Sequence, residues 1–63
     1  MINADNYLRI DPFILLSAIN MQLRDNYSSL EDLCKSLDLD EEKLTERLQN
    51  AGFSYISEQN QFK

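Results

Sequence analysis

The sequence predicts a mainly α, α+β domain: three helices in a helix-turn-helix-like order, then a short C-terminal β-hairpin. Three observations carry this. Apolar residues recur at helical spacing in three stretches, and each stretch opens on a capping residue. Beyond Gly52 the apolar period drops to two. The composition, with ten Leu, no Val, one Gly and one Pro among 63 residues, favours helices over sheet.

Residues 1–10 have no clear period. Tyr7, Leu8 and Ile10 are expected to form a short edge strand or a loosely packed arm. The ordered domain is expected over residues 11–63. Asp11-Pro12 marks a helix start, because Asp caps and Pro is preorganised for the first helical position. The first helix is predicted from Pro12 to Asp25, with Asn26 as a left-handed stop. Ser28-Ser29-Leu30-Glu31-Asp32 opens the second, with Ser28 and Glu31 or Ser29 and Asp32 at capping-box spacing. Leu30, Leu33, Cys34 and Leu37 share its inner face, and Glu31 and Lys35 make an i, i+4 pair outside. Asp38-Leu39-Asp40 breaks the pattern. Asp40 caps the third helix, Glu41 and Glu42 suit its first turn, and Leu44, Leu48 and Ala51 form its buried stripe. Gly52 supplies the left-handed exit and Phe53 the apolar contact after it. Residues 53–56 are predicted to pair with 60–63 through a turn in which Asn60 takes the left-handed position. The expected core is Leu15, Leu16, Ile19, Leu23, Leu30, Leu33, Leu37, Leu39, Leu44, Leu48, Phe53, Tyr55 and Phe62.

Charge and composition narrow the function. Six Lys+Arg stand against eleven Asp+Glu, a net −5, which argues against direct binding of nucleic acid or an anionic membrane. With no His and one Cys, an internal disulfide, a Cys/His zinc site and imidazole catalysis are all excluded. The acids at Asp38, Asp40, Glu41 and Glu42 lack the alternation and central Gly of a calcium loop; helix capping accounts for them. Cys34 lies on the leucine face, without a basic neighbour on that face to lower its pKa. No enzyme activity and no cofactor are expected. The start lacks the positive and apolar regions of a signal peptide, and the longest apolar run is Phe13 to Leu16; the expectation is a cytoplasmic protein.

The first helix has more than one apolar side. Leu15, Leu16, Ile19 and Leu23 form an arc that belongs to the core. Ile14, Ala18 and Met21 form a second strip, interrupted only by Asp25. Either the hairpin or the N-terminal arm covers that strip, or it is the contact surface for a protein partner or a second copy. Between strip and arc runs a mixed stripe with the polar residues Ser17, Asn20 and Arg24. Arg24 either holds an anionic ligand together with Ser17 and Asn20, or pairs with nearby carboxylates.

The order of helix, acidic turn, helix and hairpin looks like a small winged helix. The third helix, however, begins Asp40-Glu41-Glu42-Lys43, and the wing position, Ser57 to Gln61, holds Glu58 and no base. A nucleic-acid-binding or accessory transcriptional regulator is therefore the alternative reading. The leading one is a non-catalytic protein-interaction module or small homodimer, with the acidic surface favouring a basic partner.

The stretch from Asp11 to Leu30 reads D-P-x-x-L-L-S-x-x-N-x-x-L-R-D-x-Y-S-S-L. With Gly52, Phe53, Tyr55, Asn60 and Phe62 at the end of the chain, it resembles a family of small bacterial proteins classed as a domain of unknown function. The likeness covers nearly everything from Asp11 onward and leaves the first ten residues outside. It implies a bacterial cytoplasmic protein and brings no activity, cofactor or substrate. The shared motif retains Ser17, Asn20, Arg24 and Asp25, which the resemblance marks as a hydrogen-bonded structural stripe or a docking surface.

Overall fold

A computed structural model describes residues 5–63. It contains α1 (Pro12–Asp25), α2 (Leu30–Leu37), α3 (Glu41–Asn50), β1 (Tyr55–Ile56) and β2 (Gln61–Phe62), in the predicted order. Local chemistry sets each boundary. The Asp11 carboxylate accepts from Phe13 N–H, with Pro12 in the first turn. Ser29, not Ser28, caps α2, its Oγ accepting from Asp32 N–H at 3.1 Å, while Ser28 Oγ donates to the Asp32 carboxylate. Asp40 caps α3 by accepting from Lys43 N–H at 3.1 Å. Gly52 ends α3 at φ +96°, and Phe53 N–H then reaches back to Leu48 C=O. Nothing would obstruct a Cβ at Gly52, so the backbone angle alone demands glycine there.

Two helix ends differ from expectation. Asn26 sits at φ −129°, not left-handed; its amide donates to the Gln22 side chain and its N–H to Gln22 C=O. The left-handed end belongs to Asp38, at φ 57°, with Leu39 N–H returning to Cys34 C=O. An acid tolerates that conformation better than most residues, and the turn it makes brings Leu39 back under the core.

The hairpin is tighter than predicted. Tyr55 faces Phe62 and Ile56 faces Gln61 in antiparallel register, and Ser54 and Lys63 exchange both backbone hydrogen bonds beyond them. Asn60 takes the left-handed position, as expected, at φ 52°.

The core draws on all three helices and β2: Leu15, Ile19 and Leu23 from α1, Leu30, Leu33 and Cys34 from α2, Leu44 and Leu48 from α3 and Phe62 from β2, with Leu39 from the turn before α3. Burying each such side chain contributes about 1.5–3 kcal/mol. Leu16, Leu37, Phe53 and Tyr55, expected inside, are half-buried and pack on its rim. Leu16 lies at the edge of the α1 arc, Leu37 is the last residue of α2, and Phe53 and Tyr55 stand at the entrance to the hairpin, where a domain this small has no further layer to cover them.

Residues 5–9 form turns, not an edge strand. Tyr7 is buried in the core, and its hydroxyl accepts from Asp40 N–H at 3.2 Å. Arg47 donates to Ile10 C=O at 2.9 Å. The arm is thus tied to both ends of α3. The expectation for residues 1–4 lies outside the described residues. Among the described residues, no helix is long and apolar enough to cross a membrane.

Candidate functional site

The core stripe of α1 decides which way its remaining residues face. With Leu15, Ile19 and Leu23 turned inward, the 100° step per residue sends Ile14, Ala18 and Met21 to the opposite side. Ile14 is 64% exposed and Met21 53%; Ala18 between them is half-buried. Among the described residues neither hairpin nor arm covers Ile14 and Met21, so of the two readings of the strip the covered one does not hold for them. The hairpin instead packs on the flank of α1 that carries Asn20. Phe13, 62% exposed, extends the apolar surface and meets Phe53 edge-on, with ring centroids 5.6 Å apart.

The polar stripe does not act as a unit. Asn20 bridges to the backbone of Phe62: its Oδ1 accepts from Phe62 N–H at 2.8 Å and its Nδ2 donates to Phe62 C=O at 3.0 Å. The side-chain amide thereby completes the outer edge of β2 as a third strand would. This is a structural role, and it explains why an amide rather than an acid or a hydroxyl stands at this position. Arg24 pairs with Asp25, its Nε 2.9 Å from the carboxylate, in an exposed ion pair that holds the Asp25 carboxyl below its usual range. Ser17 is exposed. Ser17, Met21 and Arg24 with Gln59 and Gln61 line an open groove of about 610 Å³ between α1 and the hairpin turn.

That division gives a test. Asn20→Ala should lower stability by about 2 kcal/mol, because it leaves both polar groups of Phe62 without partners. Ser17→Ala and Arg24→Ala should each stay within about 0.5 kcal/mol of the parent chain. Urea titrations followed by circular dichroism compare the three; equal losses would mean that Asn20 is no clasp.

A second network joins the turn to the helices. The Asn60 amide donates to Leu23 C=O at 3.1 Å and Tyr27 C=O at 3.0 Å, at the C-terminal end of α1. Its Oδ1 accepts from the Tyr55 hydroxyl at 2.7 Å, and that hydroxyl accepts from Leu30 N–H, the first residue of α2. One left-handed asparagine thus satisfies the end of one helix and, through a tyrosine, the start of the next. The sequence reading found Asn60 only for its backbone. The available signal was the short distance in sequence between a polar turn residue and a tyrosine, with orphan carbonyls required at the end of α1.

The remaining chemistry is sparse. Among the described residues no three His, Cys, Asp or Glu side chains come together as a metal site. Cys34 is buried, and burial, with Glu41 and Asp40 nearby, pushes its thiol from 9.0 up to about 11. Since the folded state holds this proton more tightly than the unfolded chain does, stability should fall as pH rises from about 9 toward 11. Cys34→Ala should flatten that part of a denaturation-versus-pH profile; an unchanged slope would assign it to other groups.

Charge is unevenly placed. Residues 28–50 hold seven acids and three bases, whereas α1 holds one of each, Arg24 and Asp25. The acidic surface therefore belongs to α2 and α3, which pack on the inner side of α1.

The model of one protein family, a domain of unknown function (DUF4250), matches residues 9–62, and the chain belongs to that family. The match begins two residues before Asp11, close to where the resemblance placed the limit. No curated protein and no solved structure matches the chain.

Proposed function

We propose that this member of the family is a non-catalytic, cytoplasmic protein-interaction module that docks through the outer face of α1. The exposed pair Ile14 and Met21 carries the reading: two large apolar side chains stand one above the other on a helix whose opposite face already fills the core. Exposed apolar patches on small soluble domains mark contact surfaces, and a helix face is a recurrent way of making one. Methionine adapts its shape to a partner at small energetic cost. The burial of the Cys34 thiol, which makes it a weak acid, and the capping roles of Ser29 and Asp40 support the non-catalytic reading.

The test is a photo-reactive residue placed at position 14 or 21 in the cells that make the protein, with position 49 on α3 as control. Protein adducts are expected from 14 and 21 and not from 49. Absence of adducts from both would remove this reading.

The order of three helices and a hairpin supports a second reading, a winged-helix-like nucleic-acid binder. Against it, Glu41, Glu42 and Glu46 lie exposed along α3. Titration of mixed duplex DNA at low salt separates the two. Binding tighter than about micromolar, with a steep loss on adding salt, would favour this second reading.

A further inference from the structure

We propose that the partner on the outer face of α1 is a second copy of the chain, its own α1 laid antiparallel across the first about a two-fold axis. This rests on the docking reading above. An isologous contact requires one patch to complement itself. The outer face of α1 does so in register. With the axis between Ser17 and Ala18, Ile14 meets Met21 of the second copy, while Ser17 and Ala18, on opposite flanks of the seam, each adjoin their own counterpart. Small side chains fall at the crossing, where two helix backbones come closest, and the large ones flank it on both sides. The opposed helix dipoles of an antiparallel pair add to the fit.

Charge selects this occupant over a basic protein. The seven acids that would attract one lie in residues 28–50, on the elements behind α1, while α1 itself is balanced. Two copies meeting through α1 bring together helices that carry no net charge.

The groove completes the match. Phe13 shares the flank of α1 on which the groove opens, but at the other end of the helix. In an antiparallel pair about a two-fold axis, like flanks adjoin with their ends reversed. Phe13 of each copy is therefore carried to the groove of the other, beside Met21 and Arg24. An aromatic ring against that exposed guanidinium is a favourable pairing.

Sedimentation equilibrium of the full chain over a concentration series tests this. The mass should rise from 7.4 kDa toward twice that value. Met21→Asp and Ile14→Lys should each weaken the dimer at least about tenfold, since each places a charge in the seam. Gln49→Lys, on α3, should leave it unchanged. Circular dichroism confirms that each variant keeps its helices. A mass that stays at 7.4 kDa throughout, or a dimer indifferent to both seam variants, overturns the proposal. If the chain is monomeric while the cross-linker at position 14 or 21 captures a different protein, the second copy is the wrong occupant and the docking reading survives. If no adduct forms at either position, both fall.

Discussion

Replacing Phe62 with alanine is expected to remove about 3–5 kcal/mol of stability and to leave much of the chain unfolded at room temperature. A chain of 63 residues has roughly 3–9 kcal/mol in hand. Phe62 is 2% exposed and is the largest of the fully buried side chains. Its ring lies 5.4 Å from that of Tyr55 and closes the core beneath the hairpin. Removing it leaves a void where β2 meets α1, and the short hairpin has no other large buried side chain to hold it down. Urea denaturation followed by far-ultraviolet circular dichroism measures the loss. Phe13→Ala, compared at a concentration low enough to keep the chain monomeric, is the control, because that ring is mostly exposed and its removal should cost less than about 1 kcal/mol. Equal losses from the two would mean that the hairpin contributes nothing to the core.

Asn60→Ala is expected to cost about 3 kcal/mol, from two separable sources. The first is the backbone: alanine at φ 52° is strained by about 1–2 kcal/mol. The second is the loss of three hydrogen bonds, which takes the Asn60 amide from the carbonyls of Leu23 and Tyr27 and the acceptor from the Tyr55 hydroxyl proton. Asn60→Gly isolates the second, since glycine adopts the left-handed conformation without that strain. The glycine variant should therefore retain about 1 kcal/mol more than the alanine variant while remaining well below the parent. Were glycine to restore full stability, the side-chain network would carry no weight and only the turn geometry would matter.

What the sequence made legible was whatever a few neighbouring residues decide. Asp11-Pro12, Asp40 and Gly52 set helix ends through contacts within four positions, and α1 lies where these signals put it. The fully buried residues of α1 and α3 followed from the helical period for the same reason, whereas Leu16 and Ala51, expected beside them, are only half-buried. Asn26 does not take the left-handed end expected of it and Asp38 takes one at the end of α2, because both residues tolerate that region and whether either adopts it depends on where the next element must go. Burial of Tyr7 escaped notice because its partner, Asp40, lies 33 residues away. Asn20 was marked by the shared motif as of interest, but nothing near it in the sequence hinted at Phe62. The strip of Ile14, Ala18 and Met21 was visible from periodicity alone. Whether it lay bare depended on which flank of α1 the hairpin chose, and the Asn20 amide settles that.

The bridge from Asn20 to Phe62 also bears on the order in which the chain folds. It joins residues 42 apart, and closing a loop of that length costs about 3 kcal/mol in chain entropy before any contact repays it. The helices and their caps close loops of a few residues and form early; the bridge can form only once α1 is already in place to receive β2. Docking of the hairpin is then expected to be the committing event of folding, and its reversal to take the whole core with it. Amide hydrogen exchange would read this directly. The Phe62 amide, although close to the end of the chain, should exchange as slowly as the amides in the middle of α1, because releasing it means giving up the core.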